Sequence, residues 1–269
     1  MVIRVLEQFV EAKSNDRVCE DIIVITDDFA AVIDGASDAT GARFEGMSGG
    51  RLAAEVIAAS IEDLPSDIDA RSFTDTLSSA LAAAVGELPP DTRWPVAVLT
   101  CTSAERREVW RIGDCRVVIG QLEQPSTFLI ENAASRFRAA VNAALLAKGT
   151  SIEEILELDP GSQARRILTD NQQHLANRVG PWGYGCINGN QVPSEYIEVF
   201  SLPDEPTEVI LASDGYTVVM PTLSETEAAL ARLIRDDPAA IGDLWPIGKS
   251  TKPGSNAPDD RAYLRLVVE

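Results

Sequence analysis

Histidine is nearly absent from the chain, since His174 is the only one among 269 residues. Ser-His-Asp and Cys-His hydrolases need an imidazole base beside the nucleophile, so the sequence disfavours both classes. His174 follows the polar run 170–173, a setting that is typical of an exposed side chain. We therefore expect that His174 has no catalytic role.

Cysteines and long apolar runs are also scarce. The four cysteines are scattered without a C-x-x-C pair, which is typical of thiols in a reducing cytoplasm and does not favour a zinc site. No stretch of about 20 apolar residues is present to span a membrane, and the N-terminus lacks the pattern of a signal peptide. The sequence therefore predicts a cytoplasmic protein with no membrane partner.

Basic residues are few compared with acidic ones. The chain has 23 lysines and arginines against 42 aspartates and glutamates, and its formal net charge is −19. This charge disfavours nucleic acids and anionic membranes as partners. With 45% hydrophobic residues, the chain is nevertheless long enough to bury a substantial core.

Four acidic clusters lie at the ends of apolar segments that are typical of β-strands. They are Glu20-Asp21 before segment 22–25, Asp34-Gly35 after 31–33, Asp214-Gly215 after 208–212, and Asp259-Asp260 before 262–268. No basic residues match them in the sequence, so the carboxylates are expected to repel one another unless cations lie among them. Such hard oxygen ligands favour Mg²⁺ or Mn²⁺ over zinc. The sequence therefore predicts a divalent metal site.

The order of these motifs resembles that of a known enzyme family. The motifs are Glu20-Asp21, Asp34-Gly35, Gly113-Asp114-Cys115-Arg116, Ser213-Asp214-Gly215 and Asp259-Asp260. Together they resemble the metal-dependent protein phosphatase 2C family in its bacterial form, over nearly the whole chain. The resemblance implies an α+β fold with four layers in the order α-β-β-α, in which two antiparallel sheets pack face to face. We expect one domain over residues 1–269, with a helical segment around 132–176.

The same resemblance implies roles for individual residues. Asp34 and Asp214 are expected to be the catalytic anchors, with Asp34 bridging two ions and a bridging water as the nucleophile. Two or three Mg²⁺ or Mn²⁺ ions are implied, and Asp114 would join Asp214 at the third. The full set of implied ligands is Glu20, Asp34, the Gly35 carbonyl, Asp114, Asp214 and Asp259. Asp21 and Asp260 are expected to lie behind these ligands.

Two positions depart from the family pattern. Ala36 stands where many members carry a histidine that has been proposed as a general acid. Asp16 stands where the family has an arginine that binds phosphate, and Arg17, the next residue, is a candidate for that contact. The phosphate-binding role is therefore open at this point.

The activity implied by the resemblance is hydrolysis of phosphoserine or phosphothreonine, with a phosphorylated protein as the partner. Two alternatives stay open. The chain could be a non-catalytic member that keeps the fold as a binding or regulatory module, which Ala36 favours. It could also be a phosphatase of small phosphorylated metabolites, with the same metal centre and a different pocket.

Two further expectations concern segments next to the motifs. Residues 36–48 are small, polar and rich in glycine, and they predict a loop over the site. After Asp214-Gly215, the sequence predicts helices over 225–235 and 238–244, followed by a polar link over 249–258.

Overall fold

The computed structural model describes residues 2–36, 42–88, 92–126 and 128–269. The strands in these ranges are β1 (Ile3–Glu11), β2 (Ile22–Ile25), β3 (Phe29–Gly35), β4 (Arg43–Phe44), β5 (Met47–Ser48), β6 (Ala97–Ser103), β7 (Glu108–Ile112), β8 (Arg116–Ile119), β9 (Leu122–Glu123), β10 (Glu198–Ser201), β11 (Thr207–Ala212) and β12 (Arg261–Val268). The α-helices are α1 (Gly49–Glu62), α2 (Ala70–Val85), α3 (Leu129–Lys148), α4 (Ile152–Leu158), α5 (Pro160–Gln172) and α6 (Leu223–Asp236).

Ten of these strands form two antiparallel sheets of five strands each. The strand order is β1-β12-β11-β8-β9 in the first sheet and β10-β7-β6-β3-β2 in the second. The two sheets share an apolar core to which both contribute alternate residues. This core contains Ala30, Val32, Val109, Val117, Val209, Leu211, Ala262, Leu264, Leu266 and Val268. The sheets therefore pack face to face, as a two-residue side-chain period requires.

Helices cover the outer faces of both sheets. On the second sheet, α1 and α2 pack over Phe29 and Trp110, and the Phe73 ring of α2 lies 4.9 Å from that of Trp110. On the first sheet, α6 contributes Leu230 to a cluster with Tyr263 of β12. The predicted α+β sandwich with four layers, α-β-β-α, is therefore confirmed. Among the described residues, no helix has the length and apolar character needed to cross a membrane.

Strand β3 shows why the site lies where it does. Ala30 and Val32 face the core between the sheets, whereas Ala31 and Ile33 face the helices, so the strand is buried on both sides. Such a strand is apolar throughout and becomes polar only where it leaves the core. Asp34 is the residue at that point.

The expected helical segment around 132–176 contains helices α3, α4 and α5. Arg138 of α3 is fully buried and links this segment to the chain before β12. Its guanidinium donates hydrogen bonds to Asp159 at 3.2 Å and to the carbonyl oxygens of Ala239 and Ala240 at 3.3 Å. It also donates to the hydroxyl of Ser250. The helical segment is therefore tied to the chain around residues 239–250.

The prediction of a helix over 238–244 is wrong. The Asp237 carboxylate accepts hydrogen bonds from three backbone N–H groups of this segment, at 2.7–3.0 Å. The Arg138 guanidinium donates hydrogen bonds to two backbone carbonyl oxygens of the same segment. Because side chains bind these backbone groups, the groups do not form the i→i−4 bonds of a helix. The segment consists of turns and ends in a short 3₁₀ helix, Trp245–Ile247.

The loop predicted over 36–48 contains regular structure in its second half. Strands β4 and β5 pair there as a small hairpin, with Phe44 opposite Met47. Ser48 then caps helix α1 by accepting a hydrogen bond from the N–H of Arg51 at 3.2 Å. Residues 37–41 of the predicted loop lie outside the described residues.

Candidate metal centre

Motifs that are distant in the sequence meet at one end of the two sheets. The backbone N–H of Asp214 donates to the Asp34 carboxylate at 3.4 Å. The N–H of Glu20 donates to the Asp260 carboxylate at 2.9 Å, across 240 residues of sequence. The hydroxyl of Ser213 accepts the N–H of Ala262 at 2.9 Å. The structure therefore brings together the acidic strand ends that the sequence singled out.

Glycines allow the backbones to approach closely at this point. A Cβ atom on Gly35 would lie 2.4 Å from the carbonyl oxygen of Gly50 and 2.7 Å from that of Glu20. A Cβ atom on Gly215 would lie 2.1 Å from the carbonyl oxygen of Asp260. Since real Cβ atoms do not come so near to backbone oxygens, only glycine fits both positions. The glycine of each Asp-Gly step is therefore needed for packing as well as for turning.

Four carboxylates form what we call the carboxylate cluster: Asp21, Asp34, Asp114 and Asp214. Asp21 is buried, and the other three are half-buried. Loss of hydration is the largest cause that raises the pKa of each, and repulsion between neighbouring carboxylates adds to it. The pKa of Asp114 rises to about 7. A divalent cation among these groups would relieve that repulsion.

One oxygen of the cluster lacks a partner. Oδ2 of the buried Asp21 accepts no hydrogen bond from the described residues. Buried carboxylate oxygens are normally satisfied, so an orphaned one beside like charges fits a cation ligand. Among its neighbours, Asp21 also has the largest charge effect on Asp34. Glu20, by contrast, accepts the hydroxyl of Ser48.

This geometry favours Asp21 over Glu20 as the carboxylate beside Asp34. The resemblance implied the reverse order, with Glu20 as the ligand and Asp21 behind it. The Asp260 carboxylate accepts the backbone N–H groups of Glu20 and Lys13, the latter at 2.8 Å, and its place behind the ligands stays a prediction. The ligand role of Glu20 stays a prediction.

Asp259 differs from the cluster because lysines bind both of its carboxylate oxygens. Nζ of Lys13 lies 2.9 Å from Oδ1, and Nζ of Lys249 contacts Oδ2. Burial acts to raise the pKa of Asp259, but the two ammonium groups outweigh it and hold that pKa well below its ordinary value. The expectation that the acidic strand ends have no basic partners is therefore wrong at Asp259.

Strand pairing explains the position of Lys13. β1 and β12 are antiparallel, with Glu11 opposite Arg261. Continuing this register by two residues brings Lys13 beside Asp259. A prediction that the first and last strands pair would have found this contact, whereas Lys249 lies in the link before Asp259 and gives no local signal.

A third basic side chain, from the helical segment, lies near the site. Arg165 of α5 is largely buried and contacts the Glu131 carboxylate of α3. Its Nε has no hydrogen-bond acceptor among the described residues, and the charges that act on it include those of Asp114 and Asp214. Arg17, the candidate from the sequence, is exposed. No local pattern in the sequence singles out Arg165.

The carboxylate cluster fits a divalent metal ion, whereas Asp259 does not. The carboxylate cluster has raised pKa values and an orphaned oxygen, whereas lysines bind both oxygens of Asp259. In the part of the chain that the structure describes, no group of three or more Asp, Glu, His or Cys side chains converges to hold a metal ion. Binding a cation would therefore require side chains of the cluster to move together.

Comparisons with known proteins support the fold. No family model and no curated protein sequence matches the chain. The Mycobacterium tuberculosis serine/threonine phosphatase PstP/Ppp superposes with a TM-score of 0.53 at 16% identity, covering 100% of both chains. The catalytic domain of PstP in complex with two manganese ions gives 0.52 at 16% identity, covering 100% of this chain and 99% of that one. A bacterial serine phosphatase gives 0.50 at 12% identity, covering 98% and 97%.

At these identities the likeness concerns the fold. The chain has the fold of the bacterial serine/threonine phosphatases, over nearly its full length and theirs. The resemblance inferred from the order of the motifs is confirmed at that level.

Proposed function

We propose that the chain is a Mg²⁺- or Mn²⁺-dependent phosphatase that hydrolyses phosphoserine or phosphothreonine on proteins. The observation that carries the proposal is the carboxylate cluster at the converging strand ends of a serine/threonine phosphatase fold. One neighbour with this fold is a complex with two manganese ions. The four cysteines are free thiols, which supports a cytoplasmic location.

The residues divide into cation-holding and phosphate-facing groups. Asp21, Asp34 and Asp214 would hold the cation, with Asp114 and the Gly35 carbonyl within the same site. When bound, a divalent cation supplies charge neutralisation for the phosphoryl oxygens and activates water as the nucleophile. Arg165, whose Nε lacks an acceptor among the described residues, is a candidate to donate hydrogen bonds to phosphate. It replaces Arg17 in that role.

The function test is turnover with and without metal. We expect the purified chain with millimolar Mn²⁺ to hydrolyse both an aryl phosphate and a phosphothreonine peptide. Chelation should abolish both activities, and added Mn²⁺ should restore them, because the cation would activate the water that attacks phosphorus. If the chain hydrolyses the aryl phosphate but not the phosphothreonine peptide, the small-metabolite phosphatase is favoured instead.

The non-catalytic module has its own support. Ala36 removes the family histidine, and the lysines at Asp259 differ from the implied ligand set. Under this alternative, Mn²⁺ would bind and raise the unfolding temperature, yet no substrate would be turned over. Measuring binding and turnover on the same sample separates the two functions.

Activity is expected to be independent of His174. This residue is exposed in the short 3₁₀ helix Gln173–Leu175. A general acid contributes about 10²–10⁴ in rate, so His174→Ala should change turnover by less than about tenfold. The measurement is kcat on a phosphopeptide and on an activated aryl phosphate, with Gln173→Ala as the matched control. A hundredfold loss on the phosphopeptide alone would identify His174 as the acid.

A further inference from the structure

Lys13 and Lys249 lie where the family resemblance implies a cation at Asp259. We propose that these two ammonium groups replace one of the divalent ions, so that the centre binds a single ion, in the carboxylate cluster. The inference rests on the proposed function and deepens it, because it defines how the charge of the site is balanced.

Both carboxylate oxygens of Asp259 are occupied by hydrogen-bond donors. Lys13 Nζ lies 2.9 Å from Oδ1 and Lys249 Nζ contacts Oδ2, while the N–H of Asp260 donates to Oδ1 at 3.0 Å. Both oxygens therefore already have donors. Two ammonium groups carry the same formal charge as one divalent ion, and both side chains are at least two-thirds shielded from solvent.

The two ammonium groups would repel a divalent ion at Asp259. A divalent ion bound to either oxygen of Asp259 would lie within a few ångströms of an ammonium group. Charges at such separations interact strongly where solvent is excluded, and like charges there are unfavourable. A second ion would therefore have to displace at least one lysine.

Hydrogen bonds anchor the backbone at or next to both lysines. The backbone N–H of Lys13 donates to the Asp260 carboxylate at 2.8 Å, and its carbonyl accepts the N–H of Asn256 at 2.8 Å. Lys249 lies between Gly248, which ends a short helix with φ +66°, and Ser250, which contacts the buried Arg138. These contacts fix the backbone positions from which both ammonium groups reach Asp259.

The carboxylate cluster, in contrast, has an oxygen that is available to a cation once its side chains move together. Asp21 Oδ2 is buried and has no hydrogen-bond partner among the described residues. The N–H of Asp214 at 3.4 Å is a long contact to Asp34. Strong donors thus occupy Asp259, whereas the oxygens of the cluster are the ones left to bind an ion.

The test counts Mn²⁺ ions per chain by calorimetric titration of the full, chelator-treated protein. We expect about one ion for the wild-type chain and about two for the Lys13→Met/Lys249→Met double variant, whose Asp259 is freed. Lys252→Met is the matched control, since it removes an exposed lysine from the same link, and it should bind as the wild type does. The electron paramagnetic resonance signal of Mn²⁺ should be that of an isolated ion in the wild type.

Two ions per wild-type chain, with a spin-coupled signal, would overturn this inference and leave the proposed function intact. No ion in a folded wild-type chain would overturn the proposed function itself. If the double variant does not fold, Asp259→Asn provides the second test. This variant should still bind about one ion, and loss of that ion would show that Asp259 is a ligand, against the inference.

Discussion

Asp34→Asn should lower Mn²⁺-dependent phosphatase turnover by at least about 10³-fold, which corresponds to about 4 kcal/mol of transition-state stabilisation. The substitution keeps the shape of the side chain and removes its charge. Asp34 lies at the end of β3 among Asp21, Asp114 and Asp214, so under the proposed function the cation would depend on it. Measuring kcat/KM on a phosphothreonine peptide at saturating Mn²⁺ gives the size of the loss.

Asp34→Asn should also change how the unfolding temperature responds to metal. Burial and repulsion raise the pKa of Asp34, so its charged form is unfavourable in the folded chain without metal. Asp34→Asn should therefore unfold at the same temperature as the wild type or above it when metal is absent. The rise in unfolding temperature that Mn²⁺ gives to the wild type should disappear.

A matched control lies on the same hairpin. Asp27 is exposed in the turn between β2 and β3, at the far end of β3 from Asp34. Asp27→Asn should leave both turnover and the effect of Mn²⁺ unchanged. Turnover of Asp34→Asn within tenfold of the wild type would contradict the assignment of the site.

The order of the acidic motifs, through the family resemblance, predicts the fold, whereas local signals alone single out Asp34 and Asp214. Asp34 and Asp214 each follow an apolar strand and precede a glycine, and both features are visible in a few residues. The structure brings the two together, and Gly35 and Gly215 are required by close backbone contacts that no spacing rule reveals.

What sequence reasoning missed depends on contacts between distant residues. The Lys13–Asp259 ion pair joins residues 246 positions apart, and it follows from the pairing of the first and last strands. Glu20 and Asp21 are adjacent and both buried just before β2, so the sequence pattern alone does not say which carboxylate faces the site. A helix over 238–244 is prevented because Asp237 binds backbone N–H groups there and Arg138 binds backbone carbonyl oxygens. Helix propensities do not include such contacts with distant side chains.

Arg138→Met should lower the free energy of unfolding by about 3–5 kcal/mol, because it breaks a buried ion pair by removing one partner. Arg138 is fully buried, and its partner Asp159 would remain as a nearly buried carboxylate without its guanidinium. The carbonyl oxygens of Ala239 and Ala240 would also lose their donor. Urea-induced unfolding of the metal-free chain measures the change.

Arg136→Met is the matched control, since it changes the same residue type two positions away on α3. The Arg136 side chain is exposed and stacks over the Trp245 ring at 4.1 Å, so its loss should cost no more than about 1 kcal/mol. A double variant with Asp159→Asn should be less destabilised than the sum of the two single changes, because the residues interact directly. Additive losses, or equal losses for the two arginines, would mean that the buried pair does not hold the helical segment to the chain before β12.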